Sequence, residues 1–167
     1  MSQDYASLRV LIVDDNQNTR ALVGAILKGA GLNDIREAVD GAQALGLLKR
    51  WPVDIAFIDY HMSPMDGIEF TRRVRDPANS PTPYLPIIMM TGYAERARVI
   101  EARDTGVTEF LVKPVTAKAV LDRLNAALFK PRPFVESRGY FGPNRRRVAA
   151  EGPQTTRRRA DDSKRGA

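Results

Sequence analysis

Three carboxylates, a hydroxyl and an ammonium stand where apolar runs of this chain end. Asp14 and Asp15 follow Leu8 to Val13, Asp59 follows Ile55 to Ile58, Thr91 follows Ile87 to Met90, and Lys113 follows Phe110 to Val112. Brought together, three carboxylates repel and raise one another's pKa, so the cluster makes physical sense only beside a cation. A hard divalent metal resolves the conflict: Mg²⁺ (or Mn²⁺) prefers oxygen ligands, keeps several waters and bridges carboxylates to phosphoryl oxygens. Lys113 and the Thr91 hydroxyl would then stabilise the negative charge spread over a phosphoryl group in transit. An aspartate can itself be the covalent acceptor. Any one of these residues is ordinary at a strand end of an α/β domain; their joint occurrence carries the reading.

The elements that must position them are legible as alternation. The four runs are continuous rather than alternating, as strands buried on both faces should be, and a weaker run from Ile35 to Val39 fits an edge strand. Between them, Leu22, Val23, Ile26, Leu27 and Ala30, and later Val120, Leu121, Leu124 and Leu128, repeat at helical spacing that would lay an apolar stripe on a sheet. Ala44, Leu45 and Leu48, then Phe70, Thr71 and Val74, then Val99, Ala102 and Gly106 are shorter versions. Asn16 is a candidate N-cap for the first helix, and Gly29 with Gly31 ends it. The stretch Asp76 to Pro86, with Pro77, Pro81, Pro83 and Pro86, should be a loop. Strand and helix alternating in this way imply a parallel sheet with helices on both faces. Right-handed crossovers place all carboxyl ends of such strands on one edge, so the five polar residues become neighbours.

Composition removes competing chemistries. A chain of 167 residues fits one domain with at most an appendage. It has no cysteine, and His61 is its only histidine, which excludes disulfides, thiolate nucleophiles and multi-histidine metal sites. The apolar run from Leu8 to Val13 stops at two aspartates without a preceding basic cluster, so it does not read as a signal peptide, and no apolar stretch reaches the roughly 20 residues of a membrane span. A cytoplasmic protein is expected. The net charge of +6 is unevenly placed: residues 130–167 hold 11 Lys and Arg against 4 acids, and the rest holds 15 against 16.

Four segments in order, Leu11-Ile12-Val13-Asp14-Asp15-Asn16, Ile58-Asp59-Tyr60-His61-Met62 with Met65-Asp66-Gly67, Met90-Thr91-Gly92, and Phe110-Leu111-Val112-Lys113-Pro114, carry a resemblance. Residues 7–129 resemble a response-regulator receiver domain of two-component signalling, of the chemotaxis-regulator type. The resemblance implies a flavodoxin-like, doubly wound, five-stranded parallel sheet of strand order 2-1-3-4-5. It implies Asp59 as phosphoacceptor, Mg²⁺ ligated by Asp15, Asp59 and the backbone carbonyl of His61 with Asp14 acting partly through water, and phosphoryl oxygens bound by Thr91 and Lys113. In the family the Lys-Pro peptide is typically cis, which would aim Lys113 inward. Thr91 and Phe110 resemble the switch pair that remodels the face of the fourth helix, fifth strand and fifth helix. His61 and Tyr93 occupy the positions flanking the path of hydrolytic water, and two bulky residues there imply a long phosphoryl lifetime. One departure from the family pattern is Ser63, with Pro64 next, where a proline usually stands four residues after the acceptor.

Other residues are read structurally: Asp66 and Gly67 as a turn and helix start, Asp40 and Asp54 as cap or turn residues, and Trp51 as packing at a helix end. Residues 130–167 hold Pro131, Pro133, Pro143 and Pro153 with few large apolar side chains, too little to offset their ordering entropy, so a disordered basic tail is expected. Tyr140-Phe141-Gly142-Pro143 stands before the arginine triplet Arg145, Arg146 and Arg147 as aromatic groups able to dock. The reading is a stand-alone response regulator served by a histidine kinase or phosphotransfer protein and read by a downstream protein target. It converts no external substrate and is not an enzyme in the usual sense, catalysing only its own phosphorylation and dephosphorylation. The alternatives are a DNA-binding regulator using the tail, disfavoured because residues 130–167 lack amphipathic helices, and a phosphate sink or relay intermediate. A metal-dependent phosphohydrolase would need a second catalytic acid and a cap domain, for which the chain has no room.

Overall fold

A computed structural model describes residues 5–92 and 98–145. Its elements run β1 (Arg9–Val13), α1 (Gln17–Gly29), β2 (Asp34–Ala38), α2 (Gly41–Leu48), β3 (Ile55–Asp59), α3 (Gly67–Arg75), β4 (Ile87–Thr91), α4 (Val99–Thr105), β5 (Glu109–Val112), α5 (Ala117–Phe129), β6 (Phe134–Ser137) and β7 (Tyr140–Pro143). The first five strands form one sheet in the order β2-β1-β3-β4-β5, all pairs parallel. The flavodoxin-like doubly wound architecture is therefore the observed one.

Alternation within each strand divides the core, because successive side chains point to opposite faces. Leu11, Val13, Ile58 and Met89 join Ala44, Phe70, Val74 and Ala102 on the face covered by α2, α3 and α4. Val10, Ile12, Phe57 and Met90 join Val23, Leu27, Val120 and Leu124 on the face covered by α1 and α5. β3 and β4 are buried along their whole length, whereas only Ala38 of the edge strand β2 is buried. That difference accounts for the weak apolar signal of β2. The stripe on α1 is narrower than its spacing predicts: Val23 and Leu27 are buried, but Leu22 is 46 % exposed.

Local chemistry sets the helix ends. Asn16 caps α1, its side chain accepting from the amides of Asn18 and Thr19, and Gly31 takes a φ of 101° just past the C-cap Ala30. Asp40 and Asp66 cap α2 and α3 in the same way, through the amides of Gln43 and Glu69. Asp54 accepts from the backbone N–H of Arg9, and Trp51 is buried beneath the guanidinium of Arg36. Residues 76–86 form the connecting loop the prolines predict.

The chain departs from expectation after α5. Residues 134–143, read from composition as part of a disordered tail, form an antiparallel hairpin in which Val135 pairs with Gly142 and Ser137 with Tyr140. Gly139, with φ of 78°, supplies the positive backbone angle of its two-residue turn. The apolar partners missing from the segment itself come from the body. Tyr84 meets Phe134 and Phe141 with ring centroids 5.0 and 5.3 Å away, and the Arg75 guanidinium lies over the Phe134 ring. Tyr140 is buried. Arg146, Arg147 and the triplet Arg157, Arg158 and Arg159 lie outside the described residues.

Candidate functional site

The carboxyl edge of the sheet collects the predicted residues. β1 and β3 run side by side with Val13 opposite Ile58, so Asp14 and Asp59 leave neighbouring strands at the same level. Asp14, Asp15 and Asp59 each offer a carboxylate oxygen within 4.8 Å of the others. Asp14 is fully buried and Asp59 nearly so, while Asp15 opens to solvent. The backbone locks Asp14 in place: its Oδ1 accepts from the Asn16 amide at 2.9 Å, and its carbonyl accepts from the Arg20 guanidinium at 2.7 Å.

Lys113 crosses from the end of β5 to both buried acids. Its Nζ lies 3.1 Å from Asp14 Oδ2 and 3.0 Å from Asp59 Oδ1. The Lys113–Pro114 peptide is cis, as is Ser63–Pro64. Burial lowers the affinity of Lys113 for its proton, but hydrogen bonds and charges from Asp59 and Asp14 outweigh it, and its pKa is raised. Burial also dominates at Asp59; with Asp14 and Asp15 nearby it overcomes the opposing Lys113 and pushes the carboxyl up to about 6.

Thr91 closes β4, is buried, and lies one residue beyond the register partner of Asp59. Its carbonyl accepts from the Lys113 amide at 2.7 Å. Phe110 on β5 is half-buried against the α3 and α4 side of the core. His61 is exposed, its ring edge-on to Tyr60 with centroids 4.9 Å apart. Tyr93 lies outside the described residues. A sheet edge carrying three carboxylates, one ammonium and one buried threonine can hold a hard cation and present one carboxylate to an anion.

The model of the response regulator receiver domain matches residues 10–125. The chain belongs to this receiver-domain family. The chemotaxis protein CheY-3 of Vibrio cholerae is 36 % identical over 119 residues, 71 % of this chain and 90 % of that protein. Chemotaxis protein CheY of Pseudomonas aeruginosa is 35 % identical over 117 residues, 70 % of this chain and 93 % of that protein. Among solved structures, Vibrio cholerae chemotaxis protein CheY4 superposes with a TM-score of 0.66 at 32 % identity, covering 74 % of this chain and 100 % of that one. No helix among the described residues is long and apolar enough to cross a membrane.

In this receiver domain two contributors to the site gain their meaning only from the structure. The Gly67 amide donates to the Tyr60 carbonyl at 3.0 Å, and a Cβ on Gly67 would lie 2.5 Å from the Asp59 carbonyl oxygen. Gly67 is thus more than a helix start: only a residue without a side chain lets α3 abut the end of β3. The Arg98 guanidinium, at the start of α4, donates to the Tyr60 hydroxyl at 3.2 Å and ties that helix to the residue after Asp59. Gly67 belongs to a segment that carries the family resemblance, though its close approach to Asp59 is visible only in the structure; the Arg98–Tyr60 contact spans 38 residues and has no local sequence pattern.

Proposed function

We propose that this receiver domain accepts a phosphoryl group on Asp59 from a histidine kinase or phosphotransfer protein and passes the change to a protein partner. The observation that carries the reading is the position of Lys113 between Asp59 and Asp14 within the three-carboxylate cluster. Family membership and the names of the chemotaxis relatives support it.

The donor set fits a hard divalent cation: every candidate side chain offers carboxylate oxygen, and one ammonium does not balance three acids. Asp14, Asp15, Asp59 and the His61 carbonyl would hold Mg²⁺, which neutralises charge on the acceptor and on the incoming phosphoryl oxygens when bound. Asp59 attacks phosphorus through a carboxylate oxygen, forming the acyl phosphate O–P bond as the donor's P–N bond breaks; the leaving imidazole takes up a proton. Burial pushes the metal-free Asp59 carboxyl up to about 6, so it is mostly ionised at neutral pH, and a bound cation would favour the carboxylate further. Lys113 and the Thr91 hydroxyl would bind phosphoryl oxygens, and a shift of Thr91 toward them would draw Phe110 inward and alter the face of α4, β5 and α5. Hydrolysis returns the carboxylate and inorganic phosphate, so the chain converts no external substrate. His61 and Tyr93 would set the rate of that step.

Intact-mass measurement after incubation with acetyl phosphate and Mg²⁺ tests the reading. One added phosphoryl, lost on chelation of the metal before labelling and absent in Asp59→Ala, is the expected result. An undiminished adduct in Asp59→Ala overturns it.

A further inference from the structure

The family match ends at residue 125, and the hairpin of β6 and β7 lies beyond it. The hairpin seats on the C-terminal end of α4. Gly106, with φ of 113°, ends that helix, and a Cβ on Gly142 of β7 would lie 2.8 Å from the Tyr140 hydroxyl and 3.1 Å from the Gly106 Cα, so the close seating of β7 on the helix end leaves no room for a side chain there. Arg145 pairs with Asp104 at 3.2 Å and stacks on the Tyr140 ring, and Arg132 donates to the Thr108 carbonyl. Arg75 binds both sides of the seam, donating to the Gly106 carbonyl at 2.9 Å beneath the Phe134 ring.

The other end of α4 points to the acceptor through Arg98 and Tyr60. The helix between these anchors has 7 residues, of which only Ala102 is buried, and Arg98 makes no side-chain cap bond. So short a rod, about 10 Å long, with one buried side chain, is positioned largely by what holds its two ends. Phosphorylation of Asp59 would exchange one carboxylate charge for close to two phosphate charges, a net gain of about one negative charge near Tyr60. Arg98 is the α4 cation held there, and attraction toward that charge would tilt the helix and pull Gly106 out of register with Gly142.

We propose that the C-terminal hairpin is a clasp on α4 whose docking is linked to the state of Asp59. The docked hairpin holds the resting position of α4; a phosphoryl group on Asp59 releases it and, with it, the contacts of Arg145 to Asp104 and Tyr140. The proposal rests on Asp59 being the acceptor. Linkage is reciprocal for binding equilibria, so a loosened hairpin must also raise the affinity of the site for a phosphoryl mimic.

The test uses the full chain with beryllofluoride and Mg²⁺. Amide exchange of residues 134–143 is read with and without the adduct, and beryllofluoride affinity is read in Gly142→Val, which crowds both Tyr140 and the Gly106 backbone, and in Arg145→Glu, which opposes Asp104 at the surface. The clasp predicts hairpin exchange rising several-fold in the adduct and affinity at least threefold tighter in one or both variants. Unchanged or slowed exchange in the adduct, or affinity at or below wild type in both variants, overturns the clasp while leaving Asp59 as acceptor. Failure of the wild type to form any adduct contradicts the acceptor itself, and the clasp with it.

Discussion

The ammonium nitrogen of Lys113 lies 3.0 Å from Oδ1 of Asp59, across the sheet edge from strand β5 to strand β3. The same nitrogen reaches Asp14 at 3.1 Å. One cation therefore compensates two buried acids, and the third, Asp15, faces water. The arrangement is short of positive charge, which is the condition under which a divalent ion or a change at Asp59 alters both stability and shape.

Removing the lysine exposes that deficit. Lys113→Met leaves Asp14 and Asp59 buried without their shared partner, and a metal-free protein should lose about 1–3 kcal/mol, less than for a fully buried pair because the Lys113 side chain remains partly exposed. Mg²⁺ should restore part of the loss. Urea midpoints with and without the metal check this; equal midpoints for wild type and variant in chelator would contradict it.

The elevated pKa of Asp59 has a definite sign in stability. Because the folded protein holds this proton more tightly than the unfolded chain, Asp59 lowers metal-free stability progressively as pH rises from about 4 to about 6, by roughly 2–3 kcal/mol in all. Asp59→Asn should abolish that part of the slope and melt higher than wild type above pH 6.5 in chelator. Added Mg²⁺ should narrow the gap, since it stabilises the form that binds it. Thermal melts of both proteins at pH 4, 5, 6 and 7 decide it, and a constant difference across that range would refute the assignment.

Gly67 constrains the backbone at Asp59 closely. Gly67→Ala brings a methyl to 2.5 Å from the Asp59 carbonyl oxygen, so β3 or α3 must move. A loss of about 1–3 kcal/mol is expected, in the range of overpacked cores, together with weaker Mg²⁺ binding. Chemical denaturation and metal titration measure the two effects; wild-type values in both would show that the contact relaxes without consequence.

Arg75 should behave as a core residue despite its charge. It is 3 % exposed and bonds the carbonyls of Gly106 and Pro83 and the Thr108 hydroxyl. Burial lowers its pKa to about 9. Arg75→Ala should cost about 2–4 kcal/mol through lost hydrogen bonds and lost packing under Phe134, and Arg75→Lys should rescue little because one ammonium cannot span the three acceptors. Urea denaturation separates these outcomes, and full rescue by lysine would contradict the geometry.

The layout of the site was legible because strand ends were: each apolar run stops at a residue of the cluster, and parallel topology makes positions far apart in sequence adjacent. Asp14, Asp59, Thr91 and Lys113 stand at one edge on that argument alone. The hairpin was not legible, because Phe134 and Phe141 find their apolar surface on Tyr84 and Arg75, a partner that no count within residues 130–145 contains. Arg75 was hidden for the same reason: at the end of an amphipathic helix it reads as a solvated basic residue until the hairpin covers it. Leu22 erred in the opposite direction, since its helical spacing points inward while α1 buries only the narrower stripe of Val23 and Leu27.

Chemical identification of the modified side chain decides whether Asp59 is the acceptor. An aspartyl phosphate is reduced by borohydride to homoserine, whereas a free carboxylate is not. After acetyl phosphate and Mg²⁺, borohydride and proteolysis, mass spectrometry should find homoserine at position 59, dependent on the metal and on Lys113. Homoserine at position 14 or 15 instead, or an unreduced aspartate at position 59 in protein that carries the phosphoryl mass, would contradict the assignment.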